Sequence, residues 1–231
     1  MVTYRNAIVT GVYQARREPT ERSEACTHSA IKSARLSPPY MRTETIKLYS
    51  INELSPEAKE KALEKFRSWN TDHDWWRDTI DRFTEELEEA GYKSPDIRFS
   101  GFWSQGAGAS FTCKSIDLTK FQTKLTACLA PVIAEDGISA YIERTSSYYS
   151  HEKTCTLYFD WESSEERPTQ EQQDALESLE RTIEQDRLAW CKKIYKTLEE
   201  EHDYLTSDEC IAGSLEANEI EFMEDGTRYL L

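Results

Sequence analysis

At 231 residues the chain is long enough to bury a core without disulfides or metals, and its 38% hydrophobic and 11% aromatic content excludes a disordered polymer. A formal net charge of -15 excludes a generic electrostatic grip on nucleic acid or anionic lipid, since both depend on clustered Lys and Arg, and points instead to a positively charged partner. No run approaches the roughly 18 apolar residues that span a bilayer, so a cytoplasmic setting is expected.

The charge is uneven. Residues 1–40 hold six basic and three acidic groups, a balance of +3, which leaves -18 for the remainder. That segment lacks sustained apolar periodicity and ends at Pro38-Pro39, just before Met41. It reads as a disordered or artefactual extension, with residues 41–231 as a single folded domain. The six cysteines lie far apart with no C-x-x-C pair, and Cys113, Cys128, Cys155 and Cys191 fall on apolar faces, so they are expected to be buried and reduced.

In chain order, Thr45–Ile51 alternates as a half-buried strand. "SPEAKEKALEKFRSW" follows as a helix, with Ser55 as N-cap, Pro56 at the first position and Ala58, Ala62, Phe66 and Trp69 at helical spacing. A second helix, capped by Thr71 or Asp72, carries the stripe Trp76, Ile80, Phe83, Leu87 and Ala90 and stops at Gly91. Its opposite face, with Asp81, Arg82, Glu85, Glu86 and Glu89, is solvated. "DIRFSGFW" and "ASFTCK" form a hairpin, with Phe111 and Cys113 inward and Ser110 and Thr112 outward. Its loop, Ser104 to Gly108, places glycines at positive φ, and Gly101 is a bulge or a point of close approach.

The glycines of that loop do not form a phosphate cradle. Gly106 is followed by Ala107 rather than by Lys and Ser or Thr, and the segment opens a strand rather than a helix. Leu118, Phe121, Leu125, Cys128 and Leu129 mark a third helix that Pro131 bends or ends. "ISAYIERTSSYY" and "KTCTLYFDW" make a second hairpin, with Cys155, Leu157, Phe159 and Trp161 on one face. Pro168-Thr169 opens a charged helix to about Tyr204, with Leu176, Leu179, Ile183, Trp190, Ile194 and Leu198 along one side. At about 1.5 Å per residue it is long enough that it either breaks once or projects. Thr206 with Glu209 suggests a capping box for a last helix, and a small hairpin around Asp225-Gly226 closes the chain. Helices mixed with antiparallel hairpins, without a repeating βα unit, give an α+β fold: an antiparallel sheet of hairpins against several helices.

Asp72, His73 and Asp74 offer metal-ligating atoms, but adjacent positions on a helix point apart, and capping with first-turn carboxylates explains them better. No metal or cofactor is expected. His151 lies in the second hairpin loop and His202 among carboxylates. The neighbours Trp75-Trp76 and Tyr148-Tyr149 cannot all face one core, so one of each pair is expected to stand out. Exposed Trp and Tyr near acidic surface have the character of interface anchors.

"INELSPEAKEKALEKFRSWN", "DWW", "FSGFWSQGAGASFT" and "EANEIEFMEDGTRY" together resemble a family of small proteins encoded by bacteriophages and mobile elements, sometimes labelled antitoxin-like. The resemblance covers about Met41 to Leu231, transfers no catalytic residue, and departs at Ala107, where members commonly have an acidic side chain. It implies a bacterial or phage setting, in host takeover or counter-defence. The leading expectation is a non-enzymatic binding protein for a host protein with a basic surface, such as a nucleic-acid-processing enzyme, using Trp75, Trp103, Ser104, Gln105, Tyr148, Tyr149, Glu85, Glu86 and Glu89. Alternatives are a small-ligand or enzymatic site near the glycine-rich hairpin and a structural or virion-associated protein.

Overall fold

The structure, a computed structural model, describes residues 7–8, 45–123, 126–135, 137–145, 148–161 and 169–230. Residues 1–6 and 9–44, which hold most of the expected extension 1–40 and Cys26, lie outside them, as do Leu125, Asp136 and Pro168. In chain order the elements are β1 (Ala7–Ile8), β2 (Thr45–Ile46), α1 (Pro56–Lys65), α2 (Arg77–Ala90), β3 (Tyr92–Lys93), β4 (Asp96–Phe99), β5 (Ala109–Thr112) and β6 (Ser115–Ile116). They continue with α3 (Ala130–Ala134), β7 (Ile138–Arg144), β8 (Cys155–Trp161), α4 (Gln170–Leu205) and α5 (Asp208–Ala217). The fold is α+β: every strand pairing is antiparallel and two-stranded, β1 with β2, β3 with β6, β4 with β5 and β7 with β8. Among the described residues no helix is long and apolar enough to cross a membrane.

The chain groups into two compact units, Met1–Phe66 with Ala212–Leu231, and Arg67–Ile211. In the first, Ser55 caps α1 by accepting from the Ala58 amide, and Pro56 occupies a position whose N–H would be unsatisfied anyway. Ala58, Ala62, Leu63 and Phe66 are buried, and Phe66 meets Phe222 edge-on at 6.0 Å. The expected strand Thr45–Ile51 is a strand only over β2. Beyond it Tyr49 exchanges both backbone hydrogen bonds with Phe222 at 2.9 Å, so pairing passes to the C-terminal hairpin. That hairpin turns at Asp225-Gly226, where the Asp225 carboxylate accepts from the Thr227 amide and hydroxyl and from Lys61 Nζ.

The second unit is built on α4, 36 residues in one unbroken helix of about 54 Å. Thr169 and Gln172 form its capping box. It neither breaks nor stands free, because Ala175, Leu179, Ile183, Arg187, Cys191, Ile194 and Leu198 are buried along it. They pack in one core with Phe83 and Leu87 of α2, Phe111 of β5, and Ala140, Ile142 and Leu157 of the second hairpin. That hairpin pairs from Ile138↔Trp161 to Arg144↔Cys155, with Cys155 and Leu157 inward as the alternation requires. Ser110, expected outward, is wholly buried.

Four local expectations need correction. α2 begins only at Arg77 and is not capped by Thr71 or Asp72; Thr71 bonds back to the Ser68 carbonyl instead. Gly91 does stop it, at φ +111°. The third helix is two 3₁₀ turns, Leu118–Phe121 and Ala127–Leu129, followed by α3, which Pro131 starts rather than ends. Proline lacks the N–H that a first turn leaves unpaired, so both readings obey its chemistry. Ser207 rather than Thr206 caps the last helix, its hydroxyl accepting from the Cys210 amide.

The described cysteines, Cys113, Cys128, Cys155, Cys191 and Cys210, are free. Burial pushes the Cys191 thiol up to about 12 and the Cys113 thiol up to about 11. Both should therefore resist alkylation at about pH 8 in the native protein and react once it is unfolded, as peptide mass spectrometry reads out. Labelling of native Cys191 at a free-thiol rate would contradict this burial. Asp225 generates a pH prediction. Its amide, hydroxyl and Lys61 partners lower its pKa from 3.8 to about 2, so the folded state favours the ionised form. The stability this gives is present above pH 3.8 and is lost as pH falls toward 2. Asp225→Asn should remove that part of the acid dependence in unfolding measured between those values, and leave the rest.

Candidate functional site

The site grows from two loops locked together. The β4–β5 register ends at Phe99↔Ala109, and the Ser100 amide donates to the Gly108 carbonyl at 3.0 Å, closing loop 100–108. Residues 148–154, which lead into β8, approach from the second hairpin. The Ser150 amide donates to Ser100 Oγ, and the Thr154 and Ser110 hydroxyls meet at 3.3 Å. The Tyr149 ring covers Gly106, and the backbone of His151 lies over Gly108. Close approach thus falls at Gly108, whereas Gly101, where it was expected, has open space around the missing side chain.

Three further contacts hold the second loop. Arg144 Nη1 donates to Ser150 Oγ at 2.9 Å, and His151 Nδ1 accepts from the Lys153 amide at 3.2 Å. From α4, Arg187 Nη1 donates to the Glu152 carbonyl at 3.0 Å while its other nitrogens fork the Glu184 carboxylate at 2.6 and 2.7 Å.

Loop 100–108 holds Trp103 at φ +55°, a left-handed conformation that a bulky L-residue rarely adopts. Such conformations cost on the order of 1–3 kcal/mol and persist where the surroundings impose them. Here the indole leans on Phe102 at 5.6 Å and on the His202 imidazole at 5.4 Å, yet remains 67% exposed. Beneath it Trp75, Phe99, Phe102, Tyr195 and His202 form one aromatic cluster, with Phe102 and His202 at 5.0 Å and Trp75 and His202 at 5.6 Å. His202 Nδ1 is enclosed there without a hydrogen-bond partner. The Tyr195 hydroxyl donates to Glu199 at 3.3 Å, and burial, with Glu199 and Asp203 nearby, raises its pKa.

The expected site residues separate into two groups. Trp75, Trp103, Ser104, Gln105, Tyr148 and Tyr149 gather on or beside the paired loops. Ser104 and Gln105 are exposed at the loop tip, Tyr148 is 82% exposed, and Tyr149 meets it edge-on at 4.7 Å. Trp75 and Trp76 are both half-buried, ring against ring at 5.8 Å. They sit on the turn before α2, so the argument from successive helical positions does not govern them. Glu85, Glu86 and Glu89 lie along α2, about 14–20 Å beyond Trp76 by helical rise. Glu85 and Glu89 are exposed, while Glu86 pairs with Lys193 at 2.6 Å and Arg82 at 3.9 Å. Trp103 instead meets the last turns of α4 at His202, where Glu199 and Asp203 lie near Tyr195 and Glu200 pairs with Lys196 at 3.4 Å.

Sequence reasoning missed Phe102, Tyr195 and His202. The available signal was spacing: Tyr195 and His202 are seven apart on α4, which places them on one face two turns from each other. Asp72, His73 and Asp74 are exposed, and Asp74 pairs with Arg77 at 2.8 Å. Among the described residues no group of three or more His, Cys, Asp or Glu is placed to hold a metal ion.

A family described as a domain of unknown function (DUF8835) matches residues 75–208, more than half of the chain. The chain belongs to that family. The matched span starts at Trp75 and contains both loops, all of α4 and the whole aromatic cluster. No curated protein matches the chain, and no solved structure does.

The loop pairing generates a prediction. A methyl group on Gly108 would lie 2.9 Å from the His151 Cα, so Gly108→Ala should push the loops apart. The expected cost is about 1–3 kcal/mol in denaturant unfolding, with a change in tryptophan fluorescence around Trp103. Gly101→Ala, where a methyl group meets open space but the backbone sits at φ +49°, should leave the His151 contact intact.

Proposed function

We propose that the chain is a non-enzymatic acidic binding protein that engages a basic surface of a host protein. The observation that carries the reading is Trp103, two-thirds exposed at a strained backbone position beside the acidic end of α4. A large aromatic side chain held outward by its own supporting cluster has the form of an interface anchor, and neighbouring carboxylates select a cationic counterpart. Tyr148 and Tyr149 extend that surface. Along α2, Glu85, Glu88 and Glu89 have no ion pair among the described residues, so their charge is available to a partner, whereas Glu86 is taken by Lys193.

The partner chemistry that fits is a Lys- and Arg-rich groove, as on a nucleic-acid-processing enzyme. The resemblance of the sequence to phage and mobile-element proteins supports, within the same proposal, a role in host takeover or counter-defence. Electrostatic complementarity of this kind mostly sets encounter rate and partner choice, with the aromatic anchor setting lifetime.

Affinity purification from bacterial cells, comparing the full chain, the chain begun at Met41 and Trp103→Ala, tests the reading. Partners of basic composition should be retained by the first two and lost with Trp103→Ala. Raising salt from about 50 to about 500 mM should weaken the complex. Partners held equally by Trp103→Ala and indifferent to salt would refute the proposal.

A further inference from the structure

The second hairpin presents one open edge. Cys113 and Ile142 exchange both backbone hydrogen bonds at 3.1 Å, so the N–H and C=O of Ile142 point toward the first hairpin and away from β8. Peptide groups alternate in direction along a strand, so it is Tyr141 and Glu143 that bond to β8, opposite Tyr158 and Thr156. Leu157, opposite Ile142, therefore turns its own N–H and C=O away from β7, and Phe159 and Trp161 follow it. Among the described residues no backbone group pairs with that edge.

An open edge is a template for a further strand, and folded proteins commonly blunt it with lysine, proline or a bulge. Cys155–Trp161 contains none of these, and its seven residues pair with β7 without interruption. Its side chains sort by face. Leu157 is buried and Phe159 half-buried on the core side, whereas Tyr158 and Asp160 are exposed on the other. On that outer face the Tyr158 and Tyr141 rings stack at 5.4 Å. Loss of water contact, and after it the charges of Asp160 and Glu143, raise the Tyr141 pKa, so both carboxylates lie beside the ring pair. Neither carboxylate has an ion pair among the described residues.

We propose that the outer edge of β8 takes up, as an added antiparallel strand, an extended segment of a partner protein in which basic and apolar residues alternate. Residues directly opposite one another in such a pair share a face. Partner residues opposite Leu157 and Phe159 bond to them through the backbone and turn apolar side chains to the core side. Those opposite Tyr158 and Asp160 face outward, where a lysine or arginine meets the Asp160 carboxylate and lies over the Tyr158 ring. Glu143, one strand further in, adds to the negative field on that face. A second copy of this chain fits worse, because each copy carries a net charge of -15 and brings its own Asp160 to the same edge. The edge uses neither Trp103 nor its loop, so this inference and the binding surface at Trp103 stand or fall independently.

Fluorescence anisotropy of the full chain with a labelled, end-capped peptide of about eight residues that alternates lysine and valine tests it. Saturable binding is expected, weakened by salt and about tenfold or more weaker for a peptide with the same residues in two blocks. N-methylation of the valines removes the donors that face β8 and should cost about tenfold or more, whereas N-methylation of the lysines, whose amides face solvent, should not. In the protein, Phe159→Pro deletes an amide that points outward, so it keeps the ladder with β7 and should block the edge, while Phe159→Val should retain binding. Asp160→Asn should weaken binding and its salt dependence, and Trp103→Ala should change neither. Circular dichroism checks the fold of Phe159→Pro, and the methylated peptides decide alone if that variant unfolds. The proposal is overturned by no saturable binding, by equal binding of the block or valine-methylated peptide, or by a loss with Trp103→Ala. A concentration-dependent dimer of the chain that Phe159→Pro abolishes would overturn it too, in favour of a second copy on the edge.

Discussion

The buried guanidinium of Arg187 is the interaction on which the larger unit turns. It occupies the centre of the stripe that α4 presents to the core, between Ile183 and Cys191, and is only 2% exposed. Burial works against its charge, but the forked Glu184 carboxylate outweighs it, and the net direction of its pKa is upward. Removing a charge from water is costly, and only good geometry on every nitrogen offsets it. Arg187 meets that condition by giving its remaining nitrogen to the Glu152 carbonyl, and so it fixes the second hairpin loop to the helix. An aliphatic side chain in its place would fill the stripe without holding the loop.

From that anchor the rest follows in sequence. Residues 148–154, held at Glu152, are the platform against which loop 100–108 closes, through Ser100, Gly106 and Gly108. Loop 100–108 in turn directs Phe102 into the cluster with His202 and leaves Trp103 outside it. The exposed indole is thus the end of a chain of contacts that starts in the core. α4 serves both roles because a 36-residue helix has room for both: its middle carries the stripe, and its last turns carry Tyr195, Glu199, His202 and Asp203 under the loops.

Much of this was legible because local chemistry determined it. Ser55-Pro56 and Thr169–Gln172 start helices through side-chain hydrogen bonds that need nothing from elsewhere, Gly91 stops one with a left-handed turn, and the alternation in Cys155–Trp161 specifies its inner face. What was missed depended on distant partners. Ser110 alternates like an outward residue until Thr154 covers it. His202 reads as solvated among four acidic neighbours, because its aromatic surroundings come from segments about 100 residues earlier. The apolar stripe of α4 shows a gap between Ile183 and Trp190, and only the fold reveals that a paired arginine fills it. Gly101, Gly106 and Gly108 look equivalent in sequence, and it is the second hairpin that makes Gly108 the crowded one.

Arg144 supports the same platform from the second hairpin. Its contact with Ser150 Oγ steadies the residue whose amide binds Ser100, at the start of the loop that carries Trp103. The platform is thus held by two guanidinium groups, Arg187 at the Glu152 carbonyl and Arg144 at Ser150, so the exposed indole depends on cations in a chain whose net charge is -15.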